Sequence, residues 1–175
     1  MTKFIITLVV VLVSNTFFAQ STLDKYNGQD GVSSIIVNKK MFQMMASVKV
    51  DANDKETQEY LNLLKKLDNM KVFTTSNSKI AADMKVTADQ YYKTAGLEEL
   101  GRVNNSGKNV KIWIKSGSTE DQIKELLMCS EDASKGNETI LMSLTGDFTL
   151  SEVGILTNKM KIPVADDIKK ATKGK

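Results

Sequence analysis

Ser76-Asn77-Ser78-Lys79 is the one place where a nucleophile and a lysine share the S-x-x-K spacing. On a helix that spacing puts the amine one turn from the hydroxyl, where it can take the hydroxyl proton and activate acyl transfer. The companion Ser-Asp-Asn is absent, and Lys93-Thr94-Ala95 only approximates Lys-Thr-Gly. The reading that competes with catalysis is a helix cap followed by a solvated lysine. Asp51, Asn53 and Asp54 invite calcium, but an EF-hand loop needs glycine sixth and glutamate twelfth, and Glu56 and Asn62 stand there. The segment therefore reads as an inter-helix loop and cap. Met41, Met44 and Met45 offer thioethers, which hold copper(I); at helical spacing beside Phe42 they also make an adaptable core face, which is the expectation. Gly101 to Lys108 has five residues between its glycines where a phosphate loop has four, and reads as a turn. Glu98 and Glu99 are adjacent on a strand, so they point to opposite faces and cannot share a site; Asp166-Asp167 is a second acidic pair. Cys129, among Leu126, Leu127 and Met128, reads as a buried, inert thiol.

The composition narrows the chemistry further. The 175 residues include no histidine and one cysteine. That excludes Ser-His-Asp and Cys-His pairs, His-containing zinc sites and any disulfide within the chain. With 24 basic and 21 acidic groups the formal charge is +3. All the basic residues but Arg102 are lysine, and no basic-aromatic motif appears, which argues against nucleic acid. No catalytic, cofactor-binding or metal-binding residue is assigned, and no cofactor is expected.

Lys3, the apolar run Phe4 to Val13 and the polar stretch ending at Ala19 have the layout of a secretory signal. The run is too short for an anchored span, which needs roughly 20 residues. Three parts follow: a signal peptide over 1–19, a single domain over 21–159 and a Lys-rich tail over 160–175. The expected location is periplasmic or secreted, with no integral membrane span in the mature chain.

Val32 to Val37 is β-branched and reads as a strand. Asn38 caps a helical segment holding Met41, Phe42, Met44, Met45 and Val48. Tyr60, Leu63, Leu64 and Leu67 mark one face of a second helix, and Met70 to Thr75 a strand. Ser76 or Ser78 caps a long helix with the stripe Ile80, Met84, Ala88, Tyr91, Tyr92 and Ala95. Leu97 to Val103 and Val110 to Lys115 form a hairpin around a polar turn. Glu138 to Thr145 is β-like, and Thr149 with Glu152 forms a capping box for a last helix. Ile123 to Ser130 has helical composition but strand-like surroundings; it is taken as a strand. The expected fold is α+β, a single domain with helices packed on one face of a largely antiparallel sheet.

The order of apolar segments resembles a known family. These are Ile36-Val37-Asn38-Lys39-Lys40-Met41-Phe42, Leu64 to Phe73, Tyr92, Leu97-Glu98-Glu99-Leu100, Val110 to Ile114, Ile123 to Leu127 and Leu144-Thr145-Gly146-Asp147-Phe148. Together, over about residues 30–157, they resemble the domain-of-unknown-function family 4252, small exported proteins of Gram-negative bacteria. The resemblance implies export and a strand at Ile123 to Leu127; it carries no activity or site residue. The leading expectation is a non-enzymatic envelope module that binds an as yet unidentified envelope protein or small ligand, with its oligomeric state open. The alternative is a small hydrolase using Ser76 and Lys79, or carboxylates assembled by the fold.

Overall fold

Alternation of apolar side chains along the strands sets the architecture. The computed structural model describes residues 22–160, apart from positions 52, 53, 106 and 120, so the expected signal peptide and residues 161–175, with Asp166 and Asp167, lie outside the described residues. The strands are β1 (Ser33–Asn38), β2 (Leu67–Thr75), β3 (Glu98–Asn105), β4 (Lys108–Ser116), β5 (Ile123–Asp132) and β6 (Glu138–Phe148). Among the described residues the helices are α1 (Lys39–Met45), α2 (Lys55–Lys66), α3 (Ser78–Ala95) and α4 (Leu150–Lys159), with residues 22–24 also helical and a 3-10 turn at Ala133–Lys135. The strands form one antiparallel sheet in the order β1-β2-β6-β5-β4-β3. This is the α+β class expected, and Ile123 to Ser130 is indeed strand.

The helices divide between the two faces of the sheet, instead of gathering on one. Val72, Met142, Met128 and Ile112 point to the face covered by Phe42 of α1, Leu63 and Leu64 of α2, and Val153 and Leu156 of α4. Phe73, Leu141, Leu127 and Trp113 point to the other, where Met84, Ala88 and Tyr91 of α3 pack with Leu23 and Tyr26. Adjacent strand residues face opposite ways, so a central strand with two covered faces becomes an almost unbroken apolar run. That is why Leu126-Leu127-Met128-Cys129 carries no period-2 signature. Each fully buried Leu, Phe or Met adds roughly 1.5–3 kcal/mol.

Local chemistry starts and stops the elements. Asn38 Oδ1 accepts from the Met41 N–H at 3.0 Å, capping α1. Asp54 caps α2 through the Thr57 N–H. The cap of α3 is Asn77, between the two serines expected there, because its carboxamide oxygen reaches both the Lys79 and Ile80 N–H groups. The Thr149–Glu152 capping box at α4 is present in full. Gly146 lies so close to the start of β2 that a Cβ there would sit 2.6 Å from the Lys66 carbonyl oxygen.

Candidate interaction surface

Two apolar stripes run along α1, and only one of them is covered. At 100° per residue, Phe42, Met45 and Ala46 fall on one side and Met41 and Met44 on another. Phe42 is fully buried, Ala46 is buried, and Met45 packs half-buried against the same core. Met41 and Met44 face outward, 48% and 65% exposed, and Val48 and Val50 in the following segment are 60% and 36% exposed. The helix has seven residues and rests on β1 and β2 at the end of the sheet, so it offers the core a single stripe. The expected core face therefore holds for Phe42 and Met45 and is corrected for Met41, Met44 and Val48. The same split separates the three thioethers: Met45 turns inward while Met41 and Met44 turn out, so they do not converge on one metal ion.

Lysines flank this ridge. Lys39 is held by Asp68 at 2.7 Å, whereas Lys40 and Lys49 are exposed with no ion-pair partner among the described residues. Along the chain, Lys40 precedes the exposed apolar residues and Lys49 stands between Val48 and Val50. The sequence pattern of the domain of unknown function DUF4252 matches residues 26–156, three quarters of the chain. The chain belongs to that family. No curated protein and no solved structure matches it. Within this DUF4252 domain the ridge is contributed by residues 41–50, near the start of the matched region.

The other sequence candidates are placed apart. Ser76 and Lys79 are both exposed, and the cap between them is made by Asn77, so no hydroxyl–amine pair is assembled. Asp54 serves as a helix cap, and its carboxyl is held below the usual range chiefly by the Thr57 hydroxyl and N–H. Glu99 pairs with Arg102 at 2.9 Å, while Glu98 faces the opposite side with Ile114. Of Gly101 to Lys108, expected as a turn, residues 101–105 are paired strand of β3 and Lys108 opens β4, so the turn is confined to the link between Asn105 and Lys108. Cys129 is free and 7% exposed, and burial pushes its thiol up to about 12. Among the described residues no group of three or more Cys, Asp or Glu is placed to hold a metal. No described helix is long and apolar enough to cross a membrane.

Two polar features under α3 were not anticipated. Beside Cys129 a cavity of about 40 Å³ is lined by Trp113, whose Nε1 has no protein partner, and by Asn109, whose Oδ1 has none. Lys85–Glu131 and Lys111–Asp89 ion pairs flank it. At roughly 10–15 Å³ per water this space fits about three waters, and is far below the roughly 300 Å³ of an organic ligand site. The second feature is Glu125, 8% exposed, which accepts from the Tyr91 hydroxyl. Neither shows as a motif, because each joins segments of the chain more than ten positions apart. The ridge did leave a signal: Met41, Met44 and Val48 at i, i+3, i+7 are a second apolar stripe beside Phe42 and Met45.

Proposed function

We propose that this chain is an exported interaction module of the cell envelope that binds a protein partner through the α1 ridge. The observation that carries the reading is the outward pair Met41 and Met44 on a helix already buried along its other side, with Val48 and Val50 exposed in the segment that follows it. Apolar surface gathered in one place marks contact sites more often than scattered exposed residues do. Methionine suits the role, since its unbranched thioether adapts to a partner's relief. Lys40 and Lys49 add a preference for an acidic rim on the partner. Export is supported by the Lys3, Phe4–Val13 and Ala19 layout.

A photo-crosslinking residue at Met44 in producing cells tests the binding reading, with the isolated exposed Val86 of α3 as the control position. A discrete crosslinked species from position 44 alone is the expected result. Equal or absent crosslinking at both positions would sink it. Fractionation with N-terminal sequencing tests export: the mature chain should begin at Gln20 outside the cytoplasm, and an uncleaved cytoplasmic chain refutes it.

A further inference from the structure

A second surface of this molecule is the complement of the ridge. On the same face of the sheet, but at its other end, a groove of about 650 Å³ runs between β3, β4 and the start of α4. Its floor includes Leu100, Ile114, Ile123 and Leu150, and its rim carries Glu98 and Asp121. Leu100, Ile114 and Leu150 are only partly buried and pack on the cluster that also holds Phe42, so this is a thin margin of the main core that no other described element covers. Glu98 and Asp121 are exposed and have no ion-pair partner among the described residues. The ridge is thus exposed, apolar and accompanied by Lys40 and Lys49, while the groove is concave, apolar and lined by Glu98 and Asp121, all four without an ion-pair partner among the described residues.

One molecule cannot join them. The ridge sits over β1 and β2, and the groove over β4 and β3; with six strands at about 4.8 Å spacing, the two edges lie roughly 24 Å apart. We propose that the occupant of the groove is the α1 ridge of a second copy of this chain, giving a head-to-tail contact. This rests on the α1 ridge being a binding surface and names its partner. A contact between two different surfaces is heterologous, so a pair keeps one free groove on one copy and one free ridge on the other, and association continues beyond a pair. Apolar burial supplies the attraction, and the opposed rims set orientation and encounter rate. The screening length shortens from about 10 Å at 0.1 M salt to about 3 Å at 1 M, so salt weakens the rim contribution.

The test uses the mature chain in sedimentation experiments across a concentration series. Wild type should form species beyond the dimer, weakened severalfold between 0.1 and 1 M salt. Met44→Glu, at an exposed position, should weaken self-association at least tenfold, as should Glu98→Lys combined with Asp121→Lys. Circular dichroism and melting of these variants should match wild type. Mixing the two variants is decisive: the first keeps a working groove and the second a working ridge, so together they form a dimer that stops at two. Lys40→Glu with Lys49→Glu should bind the Glu98→Lys, Asp121→Lys variant better than wild type does. If the groove variant self-associates like wild type, the contact is ridge to ridge and the proposal fails. A persistent monomer also overturns it. Crosslinks from position 44 that identify a different protein, or residues 161–175 of the same molecule, overturn the second-copy assignment; the first leaves the binding reading intact, whereas no crosslink ends both.

Discussion

The Tyr91 hydroxyl donates to Glu125 Oε1 across 2.5 Å, joining the last third of α3 to the start of β5 inside the sheet's second face. Around the pair stand Lys71 of β2 and Lys115 of β4, whose charges act on the carboxylate. Lys71 is itself held by Asp24 at 2.6 Å, and Lys115 reaches the Ala95 carbonyl at the end of α3. Removing the donor would leave a buried carboxylate oxygen without its partner. Tyr91→Phe should destabilise the domain by about 1–3 kcal/mol in urea unfolding.

Burial raises the Glu125 carboxyl above its ordinary value, against the opposing pull of the Tyr91 bond and the two lysines. A carboxyl raised in the folded state binds more protons folded than unfolded, so its contribution is most favourable below the unfolded value. It declines as pH rises from about 4.3 towards the raised folded value. Glu125→Gln keeps an acceptor for Tyr91 and cannot ionise. Relative to that variant, wild type should lose stability as pH rises through this window, read from urea midpoints at successive pH values. A constant difference would show that Glu125 is not desolvated.

Asn77, with two backbone N–H groups on its carboxamide, should matter more than the serines beside it. Asn77→Ala should cost about 1 kcal/mol, while Ser76→Ala and Lys79→Ala should stay within roughly 0.5 kcal/mol. A serine-reactive probe should label none of the three, nor wild type; labelling abolished by Ser76→Ala would revive the hydrolase reading.

With its thiol pushed up to about 12, Cys129 is ionised to roughly one part in ten thousand at pH 8. Thiol reagents should therefore modify the native protein no faster than it opens, and at once in denaturant. Fast native labelling would mean that the cavity beside Trp113 opens readily.

Gly146 has a packing role. A methyl group would meet the Lys66 carbonyl oxygen at 2.6 Å and Leu67 Cα at 2.9 Å, both backbone atoms that cannot swing aside. Gly146→Ala should cost about 1–3 kcal/mol by thermal unfolding, through displacement of the α2–β2 junction.

Much of this fold can be read along the chain, because caps and periodicities are local. Asn38 and the Thr149–Glu152 box sit within four residues of what they bond, so their roles follow from spacing alone. Val110, Ile112 and Ile114 declare a strand by alternation. Central strands lose that legibility: β5 and β6 are covered on both faces, so their apolar runs name no period and no side. A stripe in a sequence records which residues are apolar, not whether any element covers them. For α1 the local pattern held two stripes, and only the arrangement over β1 and β2 decided that Phe42 goes in while Met41 and Met44 stay out. The sequence by itself determined the antiparallel α+β class, the caps at Asn38 and Thr149 and the absence of histidine chemistry. Tertiary structure alone decided the split of helices between two faces, the meeting of Tyr91 with Glu125, and the placing of a basic apolar ridge and an acidic apolar groove at opposite ends of one sheet. The reason is physical: capping and alternation act over a few residues, whereas coverage depends on surfaces brought together from distant parts of the chain.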